Sequence, residues 1–266
     1  MEFQTLTVEV DGNIGRLTLD NPAGNNSLGP LALKELTQAA HWFNQQIDVT
    51  VVIVSGKGKW FSPGADIKGF PTTDKAPESG SGKWIEERER GQLGYRMAEA
   101  IEGMRAITIA QVHRVCVGGA LVLMLACDLR LVAEGTFMSI PEVDIGIPLA
   151  WGGIPRLMRE IGPARTKELV MTCRPFTPEE AFQMGLINRV VPVDELAGAA
   201  AELAQQLAEK PVVPVVITKE HVNQVGKTMT AGMTGYADGD ALVGLLNSPQ
   251  TIEAMTKYVA ARQKKK

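Results

Sequence analysis

Cysteine is scarce in this chain of 266 residues, which has only Cys116, Cys127 and Cys173. The count is odd, no two form a Cys-x-x-Cys pair, and two sit inside apolar runs. This argues against a disulfide framework and for reduced, buried thiols, hence a cytoplasmic setting. Long hydrophobic runs are also missing. A membrane span needs roughly 20 apolar residues, and the nearest candidate, Val117 to Leu131, is interrupted by Asp128 and Arg130. The start, MEFQTLTVEV, is acidic and alternating, unlike a secretory leader. Net charge is −3, so no basic face speaks for nucleic acid, and the Lys264-Lys265-Lys266 end reads as a solvated tail. No GxGxxG, Walker loop, GxSxG or HExxH occurs. The three histidines, His41, His113 and His221, have no metal-ligand companion at helical spacing, so no metal or cofactor is expected. Hydrophobic residues make up 45% and charged residues 21%, ordinary for a globular chain with a full core.

The chain is organised around the stretch from Ile107 to Arg156. Ile107 to Val112 reads as a buried strand. A tight Val117-Gly118-Gly119-Ala120 turn follows, then a segment from Leu121 to Cys127 too apolar for a surface helix. A glycine pair opening a helix leaves backbone N–H groups free and lets a ligand approach. With the helix dipole it suits an anion, or an oxygen that becomes anionic in a reaction. Upstream, Leu6 to Leu19 alternates around Asp11-Gly12-Asn13 as a hairpin. Pro30 opens a helix, and Val49 to Val54 reads as a buried strand. Pro71 to Lys83 reads as a mobile loop, and Trp84 to Met104 as a helix. Short helices are expected at Ala164–Met171 and Pro178–Met184, and a strand at Leu186–Val191. Helices are also expected at Val193–Glu209, with Asp194 as N-cap, at Pro211–Val225 and at Ala241–Arg262.

The segments FSPGADIK (Phe61 to Lys68), VGGALVLMLACD and IPEVDIGIPLAWGGIPRL stand in an order and at separations that resemble the crotonase, or enoyl-CoA hydratase/isomerase, superfamily. The resemblance covers about Val8 to Thr256. It implies an α/β fold, a spiral of ββα repeats over residues 1–195 and a C-terminal helical subdomain over 196–266. It also implies an acyl-CoA thioester substrate and a homotrimer or pair of trimers, with the C-terminal helices supplying the subunit contact. The amides of Ala65 and Gly119 would bind the thioester oxygen. Ala65, Asp66, Ile67, Lys68, Gly118 and Gly119 would line the binding channel, although Asp66 also has a plain role capping the short helix after it. Lys57, Lys59 and Lys68 could meet coenzyme A phosphates or simply face solvent. Asp128 resembles the family's Cys-Asp pair and is given a fold role.

By the same resemblance, hydratases carry one glutamate three residues after the second oxyanion glycine, which is Val122 here, and a second after a proline, which is Glu142 after Pro141. A third acidic position, used by dienoyl-CoA isomerases and by the dehalogenase branch, is Ala150. One carboxylate remains, and one suffices for a 1,3-proton shift of a 3-enoyl-CoA to a 2-enoyl-CoA. A hydratase or other acyl-CoA lyase working with a single carboxylate, and a non-catalytic acyl-CoA binder, are the alternatives. Asp144 would share a face with Glu142 if that segment is extended, as a second acid or an ion-pair partner. Trp151 is expected in the acyl pocket or at a subunit contact. Arg114, where glycine is usual, and Pro148-Leu149-Ala150, where Pro-Gly-Ala is commoner, both fall near the expected thioester end.

Overall fold

The computed structural model describes residues 2–67, 83–230, 235, 237–246 and 248–263. β1 (Leu6–Asp11) and β2 (Ile14–Leu19) form the expected antiparallel hairpin, with Gly12 at φ +56° in its turn. From β2 onward the large sheet is parallel. It runs through β3 (Val51–Gly56), β4 (Ile107–Val112), β6 (Leu129–Ala133) and β8 (Arg189–Val191). Both faces of its central strands β3 and β4 are covered. Val52, Val54, Ala110 and Val112 join the main core with helices α1 (Pro30–Gln45), α2 (Lys83–Glu102) and α3 (Gly119–Ala126). Val51, Ile53 and Ile109 pack instead against α6 (Leu196–Ala208). This two-sided burial is why β3 and β4 read as unbroken apolar runs, whereas β1 and β2, exposed on one side, alternate.

A second, two-stranded parallel sheet pairs β5 (Val115–Val117) with β7 (Phe137–Ser139), and Ser62 bridges to Cys116 on its other side. The chain thus winds as a spiral. Each turn lays one strand in the large sheet and one short segment in the small sheet, then adds a helix: β3, Ser62 and α2; β4, β5 and α3; β6, β7 and α4 (Gly153–Thr172). Asp128 locks these layers together. Its carboxylate accepts from Thr108 N at 2.7 Å, Thr108 Oγ1 at 2.9 Å and the buried Lys219 Nζ at 2.7 Å, tying β4 to α7 (Val212–Met229).

Several expected boundaries shift for local reasons. α4 starts at Gly153 and runs through a kink at Gly162 (φ +72°) and Pro163, so the helix expected from Ala164 is its second half. α5 (Pro178–Met184) falls as expected, capped by Thr177, while β8 is shorter than the strand expected there. Asp194 does not cap α6. Residues 192–195 close a turn through Glu195 N and Pro192 O, and Glu195 takes the cap position without a side-chain bond. The expected helix from Ala241 is two helices, α8 (Asp238–Leu246) and α9 (Pro249–Gln263). Ser248 Oγ accepts from Thr251 N at 3.2 Å and Pro249 opens the new helix, a capping signal that the apolar pattern hides. The loop expected at Pro71 to Lys83 lies, except for Lys83, outside the described residues, as does the Lys264-Lys265-Lys266 tail. No described helix is long and apolar enough to cross a membrane.

Candidate active site

Register in the small sheet builds the site. Ser62, Cys116 and Met138 are direct neighbours across it. Ala65 and Gly119 stand three residues beyond the first two, and Glu142 four beyond the third. Three successive turns of the spiral therefore deliver these residues to the same end of adjacent segments, roughly 4.8 Å apart. All three line one cavity of about 30 Å³. Gly64, at φ +87°, folds its turn so closely on the next that a Cβ there would lie 2.2 Å from Val117 O and 3.2 Å from Gly119 N. Neither the Ala65 nor the Gly119 amide has a hydrogen-bond partner among the described residues. Gly119 opens α3, so that free amide also carries the positive end of a helix.

The Glu142 carboxylate rests on the same turn. A Cβ on Gly118 (φ +54°) would lie 2.4 Å from Glu142 Oε1, so only glycine leaves room. Glu142 is 9% exposed, and its Oε2 has no hydrogen-bond partner among the described residues. Burial, opposed only in part by its own backbone N–H, pushes its carboxyl up from 4.5 to about 7. Val122, 1% exposed, and Ala150 line the cavity with it. Thus all three positions at which an acid was considered face one space, and Glu142 is the one that carries a carboxylate. Two unpaired amides beside a buried, unpaired acid can hold an oxygen that gains charge while a proton moves on neighbouring carbons.

Residues 9–265 match the enoyl-CoA hydratase/isomerase family. The chain belongs to that family. Among its relatives are the short-chain-enoyl-CoA hydratase of Clostridium acetobutylicum, 28% identical over 99% of this chain and 97% of the other, and the peroxisomal Delta(3,5)-Delta(2,4)-dienoyl-CoA isomerase of Arabidopsis thaliana, 32% identical over 82% and 81%. An enoyl-CoA hydratase structure from Mycobacterium avium subsp. paratuberculosis superposes with a TM-score of 0.85 at 23% identity, covering 98% of this chain and 97% of that one, which establishes the shared crotonase fold.

This member of the hydratase/isomerase family anchors its site with residues that sequence reading missed. Ser62 Oγ donates to Asn26 O at 2.7 Å and accepts from Gly64 N at 3.1 Å. Asn26 Nδ2 donates to Lys57 O and Trp60 O, both at 2.9 Å. These bonds fix the Gly64-Ala65 turn from a loop more than thirty residues earlier. The Glu142 turn is closed by Ile147 N on Glu142 O at 3.0 Å and buttressed by α9, where Thr251 Oγ1 donates to Gly146 O at 2.8 Å. Leu242 of α8 also faces the cavity.

Other expected residues fall elsewhere. Residues 142–146 form a turn rather than an extended segment, so Asp144 is exposed, off the face of Glu142, and makes no ion pair among the described residues. Arg114 (φ +61°) takes the left-handed conformation that favours glycine, but it precedes β5 and sits at the opposite end from Gly118, away from the cavity. Pro148 to Ala150 do line it. Asp66 and Ile67 are half-buried beside Ala65; the rest of the short helix Asp66 was expected to cap, and Lys68, lie outside the described residues. Lys57 Nζ pairs with Asp20 at 2.8 Å, and Lys59 Nζ lies over the Trp60 ring at 5.3 Å.

A larger hollow of about 800 Å³ lies between α7 and the α3–β6 corner. Its charged groups include Lys219 and Asp128 at 2.7 Å and Arg130 and Glu160 at 2.9 Å, already paired with one another. It contains neither of the free amides nor Glu142. Geometry and chemistry, rather than size, favour the small cavity.

Proposed function

We propose that the protein isomerises 3-enoyl-CoA to 2-enoyl-CoA thioesters. The thioester oxygen accepts hydrogen bonds from Ala65 N and Gly119 N. Glu142 removes a proton from C2, the electron pair moves through a dienolate whose charge rests largely on that oxygen, and the same carboxyl returns the proton at C4. The C3–C4 double bond is consumed as the C2–C3 double bond forms, so atoms and electrons balance without water or any group beyond the coenzyme A of the substrate. The observation carrying this reading is that Glu142 is the single carboxylate among the described residues around the cavity. The apolar Val122 keeps water away and the acid basic. Hydration of 2-enoyl-CoA by one carboxylate is the second reading, favoured by the hydratase names that several relatives carry.

Rates with 3-enoyl-CoA and 2-enoyl-CoA, followed by absorbance, separate the two. The expected result is that the 3-enoyl ester reacts at least about 10²-fold faster, a difference within the reach of one general acid–base group. Hydration at comparable rate would overturn the isomerase reading. Val122→Glu is expected to raise hydration of the 2-enoyl ester; a folded, ligand-binding variant with no gain would defeat the account of that position. We place the enzyme in the cytoplasm, given its three buried free thiols. We also assign it a homotrimer or pair of trimers, given the exposed Val213, Val222, Val225 and Met229 on α7. Sedimentation as a monomer at micromolar concentration would remove that assignment.

A further inference from the structure

Three local features around Trp151 are each unfavourable by themselves. Trp151 has φ +60°, a left-handed conformation that is strained for a bulky residue. Gly94 lies inside α2, where glycine is a poorer helix former than alanine. Its absent side chain is what admits the indole, since a Cβ there would lie 2.0 Å from Trp151 Cδ2. Asp238 is a half-buried acid whose carboxyl burial pushes above its usual range, and it accepts from Gly152 N at 2.7 Å. Arg156 Nη1 completes the clamp, donating to Gly152 O at 3.1 Å and Trp151 O at 3.4 Å. All of these hold one ring in one place. That place adjoins the Gly119 amide, because a Cβ on Gly119 would meet Trp151 Cζ3 at 2.3 Å.

Resting on the thioester reading of this cavity, we propose that Trp151 is the specificity-determining residue and restricts the enzyme to short acyl groups. The ring fills space beside the carbonyl-binding amide. Leu149, Leu242 and Val122 line the rest of the cavity, which has a volume of about 30 Å³. That is room for about two water-sized groups, enough for the first carbons of an acyl chain and not for a long one. Trp151 sits in the turn before α4, but its backbone is held by Asp238 and Arg156 and its ring lies against Gly94 and Gly119, which opposes rotation of the indole.

The test reads binding apart from turnover. Each methylene that finds apolar cover tightens binding about fourfold. Dissociation constants are measured for coenzyme A and for its butanoyl, hexanoyl, octanoyl and decanoyl esters. The wild-type protein is expected to gain from coenzyme A to the short esters and then to level off within about threefold out to decanoyl. In Trp151→Ala, decanoyl-CoA is expected to bind about tenfold or more tighter than hexanoyl-CoA. Gains of about fourfold per methylene, about 16-fold from each ester to the next, continuing to decanoyl in the wild type would overturn the proposal, as would an unchanged profile in the variant. Trp151→Leu, a smaller truncation, should move the profile in the same direction, and the wild-type series stands without either variant. Turnover of 3-butenoyl-CoA and 3-hexenoyl-CoA is scored separately. Its absence would sink the isomerase reading while the binding series still decides the chain-length limit.

Discussion

Glu142→Gln is expected to abolish the proposed isomerisation and to stabilise the protein at alkaline pH. The amide cannot take a proton from carbon, so kcat is expected to fall about 10³-fold, within the range for loss of a general acid–base group. The affinity for the coenzyme A ester should hardly change, because the free amides and apolar walls remain. The stability effect follows from burial. The carboxyl titrates near 7 when folded against 4.5 ordinarily, so between those values the folded state binds more protons than the unfolded one. Stability therefore falls as pH rises through that window, by about 3 kcal/mol in total. Glutamine carries no such penalty. Glu142→Gln should unfold several degrees higher than wild type at pH 8, and near the wild-type midpoint at pH 4.5. The wild-type kcat/KM should rise with pH and level off above about 7, where the base is free. A wild-type level of turnover in the variant, or equal unfolding midpoints at pH 8, would contradict the role and the environment assigned to this residue.

Gly64→Ala is expected to lower kcat about 10²- to 10³-fold, the cost of losing one oxyanion donor. A methyl group there would lie 2.2 Å from Val117 O, so the two turns must separate and the Ala65 and Gly119 amides can no longer serve one oxygen. Gly58→Ala is the control. Its φ of +83° matches the +87° of Gly64, but nothing lies within 4 Å of the added carbon. It should share the backbone strain, of order 1 kcal/mol, and keep its activity. Similar activity losses in both variants would mean that strain alone, and not the paired amides, explains the effect.

How much of this could be read from sequence depended on whether a feature was local. The run Ile107–Val112 became β4 unchanged because a strand buried on both faces needs no alternation. The Gly118-Gly119 pair and Pro141-Glu142 were readable as motifs, and register then brought them together. Asp144 was misplaced because extended geometry was assumed where Ile145 N turns back to Pro141 O and Glu142 O. The supports were hidden for a different reason. Asp238 reaches Gly152 across 86 residues of sequence, and Thr251 reaches Gly146 across 105. Nothing in either short segment signals its partner. Val122 was visible as a departure from a pattern, whereas Trp151 could be placed no better than in the pocket or at a contact until Gly94 was seen to make room for it.

The small sheet works as a ruler. Because the two amides and the acid hang from neighbouring segments at similar depth, the separation between them is set by hydrogen-bonded strand spacing rather than by loop closure. On the proposed mechanism, chemistry would be re-specified by choosing which of three bays, at 122, 142 or 150, bears an acid, since all three line the one cavity. In this chain a single bay is charged, and the measuring frame is kept whole around it.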